Sequence, residues 1–186
     1  GFASLLQKQN LPAPKTHEYL RIIEQSGKQL LTVINDIIDI SKIEAGQLKI
    51  HKTSFSLNSL ILDLYAFYQY QSKLTEKPSL TLKAEPQNED FIVVNDKNRL
   101  RQVFINLLDN AVKFTDSGFV KYGYEIVAKD DAHQFVRFYV SDTGIGLSQS
   151  KQQIIFERFR QVDFESTRQY GGTGLGLSIS KALIEM

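Results

Sequence analysis

The chain has 186 residues, 42% hydrophobic and 23% charged, enough to bury a core in one or two globular domains. Its 22 basic and 21 acidic residues leave a net charge of +1 with no block of one sign, so nothing electrostatic favours nucleic acid. Cysteine is absent, which excludes disulfides and cysteine metal sites; with no signal peptide and no apolar run of the roughly 18 residues a membrane span needs, a soluble, cytoplasmic chain is expected.

Gly1 to about Lys8 reads as the end of a helix, and Asn10-Leu-Pro12-Ala-Pro14 as a turn, because two prolines fix φ and remove donors. A long helix is predicted from about Thr16 to Ala45, with Gly46 as its stop. Leu20, Ile23, Gly27, Leu30, Ile34, Ile37 and Ser41 recur at 3-4-3-4 spacing, a heptad seam. Ile22, Leu31, Val33, Ile38 and Ile40 widen it, so the helix asks for several neighbours. A four-helix bundle made by two hairpins of a homodimer supplies them; packing on the chain's own globular part is the other reading.

From Leu48 the pattern changes. Leu48 to Lys52 reads as a strand, Leu57 to about Leu74 as a helix, and Leu80–Lys83 and Phe91–Val94 as short strands. Asn98 to Phe114 is a periodic helix, with Leu100, Val103, Phe104, Leu107, Leu108, Ala111 and Val112 apolar. Phe119–Ala128 and Gln134–Ser141 alternate as strands joined by a hairpin at Lys129–Ala132, and a last helix starts near Leu175. This order predicts an α+β fold, a mixed sheet with helices on one face, behind a helical hairpin.

Three separated segments carry the chemistry, and in this order they read as one ATP site. Asn106, Asn110 and Lys113 sit at i, i+4 and i+7, one face of one helix. Magnesium takes oxygen ligands and accepts a neutral amide when phosphates bring the negative charge, so Asn110 is the candidate ligand for Mg²⁺ and Lys113 a point charge for phosphate. Asp142 ends an apolar strand before Thr-Gly144-Ile-Gly146. Its carboxylate suits the exocyclic amine of adenine and repels the carbonyl of guanine, a contact worth about 1.5–3 kcal/mol. The two glycines allow positive φ and close approach to a base. Gly172-Thr173-Gly174-Leu175-Gly176 precedes a helix, so bare amides face an anion; it is neither a Walker A loop nor GxGxxG. Ser148 to Tyr170 has the length of a lid over nucleotide, and Arg160 and Arg168 are candidates for the terminal phosphate. Taken singly, each segment also reads as polar surface or an ordinary turn.

Together these segments resemble the catalytic ATP-binding domain of sensor histidine kinases. Asn106–Thr115 is similar to the family's N box, Asp142–Leu147 to its G1 box, Phe156–Phe159 to its F box and Gly172–Leu177 to its G2 box. Upstream, Asp39-Ile-Ser-Lys-Ile-Glu-Ala-Gly46 resembles the end of the dimerisation and histidine-phosphotransfer hairpin. The resemblance implies a partial hairpin over 1–46 and, over 47–186, a Bergerat-type sandwich of the kind found in Hsp90, MutL and gyrase. It further implies ATP and Mg²⁺, with Asn110 on the metal, Asp142 on adenine, Lys113 on phosphate and the Gly172–Gly176 loop around the triphosphate. Asn106 stands where some relatives of the wider superfamily carry a glutamate that activates water; an amide is no base, which fits transfer to histidine better than hydrolysis.

The resemblance also implies a homodimer and a response-regulator receiver domain as partners, and a membrane only through segments of a longer parent. Nothing here is similar to the family's phospho-acceptor segment, so a fragment that binds Mg-ATP without autophosphorylating is expected. His17 opens the second helix with no proline after it, and His51 and His133 lie in or beside strands; none is the expected acceptor. A degenerate module that binds ATP to set dimer shape, and an ATPase of the wider superfamily, are the alternatives.

Overall fold

A computed structural model describes residues 1–6, 11–70, 77–128, 134–160 and 173–186, in two compact units, Gly1–Leu48 and Lys49–Met186. The first unit is helical: α1 (Phe2–Leu6) and α2 (Ala13–Glu44), joined by the rings of Phe2 and Tyr19 at 5.3 Å. The predicted start at Thr16 is three residues late. Pro12 is the N-cap and Pro14 lies in the first turn, where a missing N–H costs nothing, so the prolines open the helix rather than precede it. The end follows expectation. Gly46 adopts φ +63°, its N–H donates to the carbonyl of Ile43 (3.0 Å), and that of Gln47 to Lys42 (2.8 Å), the two bonds of a Schellman motif. Leu20, Leu30, Leu31, Ile34, Ile37 and Ile38 are all exposed along α2.

The second unit holds β1 (Thr53–Ser56), α3 (Leu57–Gln69), β2 (Leu80–Glu85), β3 (Ile92–Asn95), α4 (Lys97–Phe114), β4 (Gly118–Ala128), β5 (Gln134–Asp142), α5 (Gln149–Ile154) and α6 (Gly176–Glu185). The strand expected at Leu48–Lys52 is absent. The backbone N–H of His51 is instead drawn to the carboxylate of Asp96 (2.9 Å), and pairing starts at Thr53, opposite Asn95. The strands make an antiparallel β1–β3 pair and a mixed β2–β4–β5 sheet, β2 parallel to β4 from Leu80 opposite Gly118, and β4 antiparallel to β5.

Alternation along β4 sends Val120, Tyr122 and Tyr124 to one face, where α3 and α4 cover them with Leu60, Ile61, Leu64, Phe104, Leu108 and Val112. The two buried tyrosines reach α3 with their hydroxyls, Tyr122 donating to the Ile61 carbonyl (3.1 Å) and Tyr124 to Asn58 Oδ1 (2.9 Å). These bonds help fix how α3 lies on the sheet. The hairpin expected at 129–132, together with His133, falls outside the described residues.

Candidate nucleotide site

The site is built along α4. Asp96 caps the helix: Oδ1 accepts from the N–H groups of Asn98 and Arg99 (both 3.1 Å) and Oδ2 from that of His51. Burial alone would raise the pKa of this carboxyl, but the three backbone donors and the nearby Arg99 charge hold it below the usual aspartate value. From that fixed start the 3.6-residue turn sets Asn106, Asn110 and Lys113 on one side, while Phe104, Leu108 and Val112 face the core.

At mid-helix, Asn106 Nδ2 donates to the Gly176 carbonyl (3.0 Å) and to Ser180 Oγ (3.1 Å). Asn106 thereby fastens α6 to α4. A side chain at Gly176 would crowd it, since a Cβ there meets Asn106 Cγ at 3.3 Å. Thr173 Oγ1 accepts from the N–H of Leu175 (3.1 Å), Gly174 adopts φ +69°, and the first hydrogen bond inside α6 runs from Ile179 to Leu175. No side chain among the described residues caps this end, so the first-turn amides and the positive end of the helix dipole suit an anion. Phe159, a bulky residue at φ +59°, donates its N–H to the Gly174 carbonyl (3.1 Å), which joins the aromatic segment to the glycine segment.

Asn110 Nδ2 donates to the Asn106 carbonyl (2.9 Å), and no other hydrogen bond ties its side chain to the described residues. No cluster of three or more His, Asp or Glu able to hold a metal exists among the described residues. Lys113 Nζ lies 4.8 Å from the Phe114 ring centre at the C-terminal end of α4.

That same end of α4 meets the second glycine segment. Ile145 donates to the Phe114 carbonyl (3.2 Å), and Asp142 Oδ1 accepts from the N–H of Gly144 (2.9 Å). A Cβ at Gly144 would strike the Phe114 carbonyl oxygen at 2.4 Å and Thr115 Oγ1 at 2.9 Å. Thr115 is fully buried, and its hydroxyl has no partner among the described residues. Thr143 stitches the turn to β4, its Oγ1 accepting from Phe119 N–H (2.9 Å); Gly118, at φ +102°, leaves that oxygen room. So α4 carries both junctions, Asn106 to Gly176 and Phe114 to Gly144, separated by eight residues of helix, about 12 Å.

Sequence reasoning quoted Thr115 and Thr143 within their segments without a role, and missed Gly118, Ser180 and Lys77, whose ammonium meets the last carbonyls of α4. Only the Asp-Thr-Gly order hinted at Thr143. Gly146 adopts φ +66° with open space around it. Arg160 is held by Glu157 (3.1 Å) and exposed, with its backbone carbonyl beside Gly174. Part of the segment read as a lid is the short helix α5; Gly172 and Arg168 lie outside the described residues.

Residues 95–186 match the family described as "Histidine kinase-, DNA gyrase B-, and HSP90-like ATPase", and residues 1–46 match the "His Kinase A (phospho-acceptor) domain". The sensor protein GacS of Pseudomonas syringae pv. syringae is 41% identical over 187 residues, covering 100% of this chain and 20% of its own length. The chain thus spans about a fifth of that curated relative. Among solved structures, the catalytic domain of histidine kinase ThkA is 32% identical at a TM-score of 0.58, covering 73% of this chain and 80% of that one. Full-length ShkA in complex with AMPPNP is 29% identical at a TM-score of 0.70, covering 97% and 36%.

Proposed function

This chain belongs to the histidine kinases and carries their ATP-binding catalytic portion, and on that premise we propose that it binds Mg-ATP along α4 for transfer of the γ-phosphate to a histidine of a longer protein. One observation carries the reading: a single helix holds both glycine segments, at junctions eight residues or about 12 Å apart along its axis, so that one nucleotide can meet both. Asp142 accepts from the exocyclic amine of adenine at one end. The uncapped amides of α6, with Thr173, receive phosphate at the other.

Magnesium, when bound, neutralises charge on the phosphates. Asn110 Oδ1 is its protein ligand, and the amide oxygen fits because the negative charge comes from the nucleotide. Lys113 adds a fixed positive charge, and Arg160 is a lid candidate once its exposed pair with Glu157 opens. Asn106 supplies no base; it holds α6 at the distance the phosphates need. Rate enhancement comes from positioning and charge neutralisation rather than covalent chemistry.

In the whole protein the phosphohistidine passes its group to an aspartate of a response-regulator receiver domain. The exposed apolar stripe of α2 is covered by a second copy of the chain, in keeping with the match of residues 1–46 to a phospho-acceptor domain. The accepting histidine is none of the three present. His17, for one, is exposed four residues into α2 with Nδ1 engaged at the Ala13 carbonyl (2.9 Å). The test is binding of a non-hydrolysable ATP analogue with Mg²⁺ or EDTA. Wild type should bind more tightly with Mg²⁺ and Asn110→Ala equally in both; an analogue bound identically in both by wild type would overturn the metal assignment. Acid-labile, base-stable label from γ-labelled ATP on this chain alone would overturn the acceptor assignment.

A further inference from the structure

Lys77, which comes just before β2, aims a largely buried side chain at the C-terminal end of α4. Its Nζ lies 2.9 Å from the Val112 carbonyl, 2.9 Å from that of Thr115, 2.9 Å from Asp116 Oδ1 and 3.2 Å from the carbonyl of Lys113. An ammonium has three protons, so the three short contacts use them and the longer one shares. The last carbonyls of a helix have no partner within it, and they carry the negative end of its dipole. Val112 is 1% exposed and Thr115 0%, so with Lys77 in place neither residue gives water free access to its carbonyl.

We propose that Lys77 is a positioning residue of the nucleotide site: without touching nucleotide, it sets the end of α4 where the phosphate and adenine contacts meet. The residues it pins, 112 to 116, include Lys113 and span Phe114, whose carbonyl accepts from Ile145 and abuts Gly144. The Gly144 amide in turn orients Asp142. Removing the ammonium leaves buried carbonyls unmatched; the segment shifts toward water and takes the Gly144 turn with it. Four acceptors converging on one point suit a compact ammonium and not the planar fork of arginine.

The inference rests on the nucleotide reading, and the test separates the two. Mg-ADP affinity is measured by calorimetry on wild type, Lys77→Met and Lys77→Arg, beside each melting temperature. The chain has no cysteine, so Lys77→Cys, alkylated in denaturant with 2-bromoethylamine and refolded, restores an ammonium at that position alone. Lys77→Met and Lys77→Arg should bind at least about tenfold more weakly while still folded, and the aminoethylated protein should recover. Lys77→Met with a lowered melting temperature but wild-type affinity makes the lysine a structural cap only and overturns the proposal. Should Lys77→Met not fold, Lys77→Arg decides: wild-type affinity there overturns it equally. Wild type that fails to bind Mg-ADP removes the nucleotide reading and this inference together.

Discussion

Replacing Gly144 by alanine tests whether the turn after β5 and α4 are packed as one piece. Gly144 is not in the left-handed region, so its backbone suits alanine and the effect is steric. The new Cβ would stand 2.4 Å from the Phe114 carbonyl oxygen, 2.8 Å from Asp142 Oδ1 and 2.9 Å from Thr115 Oγ1. Ordinary C···O approach is about 3.3 Å, so the first overlap is roughly 0.9 Å and falls on backbone. Overpacking of this kind costs about 1–3 kcal/mol, and the retreat needed breaks the Ile145–Phe114 bond, about 1 kcal/mol more. A loss of about 2–4 kcal/mol lowers the melting temperature by roughly 5–15 °C for a unit of this size. Moving Asp142 removes its proposed bond to adenine, about 1.5–3 kcal/mol, which predicts a ten- to roughly 150-fold weaker Mg-ADP complex. Thermal melting by circular dichroism and calorimetry of Mg-ADP binding give both numbers. A Gly144→Ala protein that melts within about 2 °C of wild type and binds within about twofold would refute the reasoning.

Asp96→Asn should destabilise the second unit by about 1–2 kcal/mol at pH 7, read from urea midpoints, as loss of a charged helix cap. The folded pKa of Asp96 lies below the unfolded value of about 3.9, so its contribution is complete above that value and lost as pH falls through the folded pKa. The gap between wild type and variant should therefore close on acidification; a gap unchanged at about pH 3 contradicts the assignment. Ile34→Glu should turn the proposed dimer into monomer. Burying one such side chain is worth about 1.5–3 kcal/mol and a two-fold dimer holds two, so dissociation rises at least about 100-fold by sedimentation. Sedimentation of variant and wild type alike as dimers would place the contact elsewhere.

Elements with long, regular periodicity were legible in the sequence. α4 was expected from Asn98 and runs from Lys97, and Gly46 ends α2 through the bonds a C-terminal glycine permits. Leu48–Lys52 misled because its alternation is real, but no strand among the described residues pairs with it; β3 ends opposite Thr53, and Asp96 takes the His51 N–H. Asn106 could be placed on the right face of α4, yet its bond to Gly176, seventy positions on, is a tertiary fact that no spacing encodes. Lys77 was invisible for the same reason: in sequence it is a lysine before a proline, and only the fold brings it under the end of α4. Gly118 reads as a turn glycine, while its actual task is to clear Thr143.

The claim at the centre is an adenine nucleotide read by Asp142 at the end of β5. Its most direct test is the Mg-ADP and Mg-GDP affinities of wild type and Asp142→Asn, measured by calorimetry at one salt concentration. Wild type should prefer Mg-ADP by at least about tenfold, and the variant should lose most of that preference while keeping its melting temperature. Equal affinities for the two nucleotides in a folded wild type, or a preference untouched by the substitution, would contradict it.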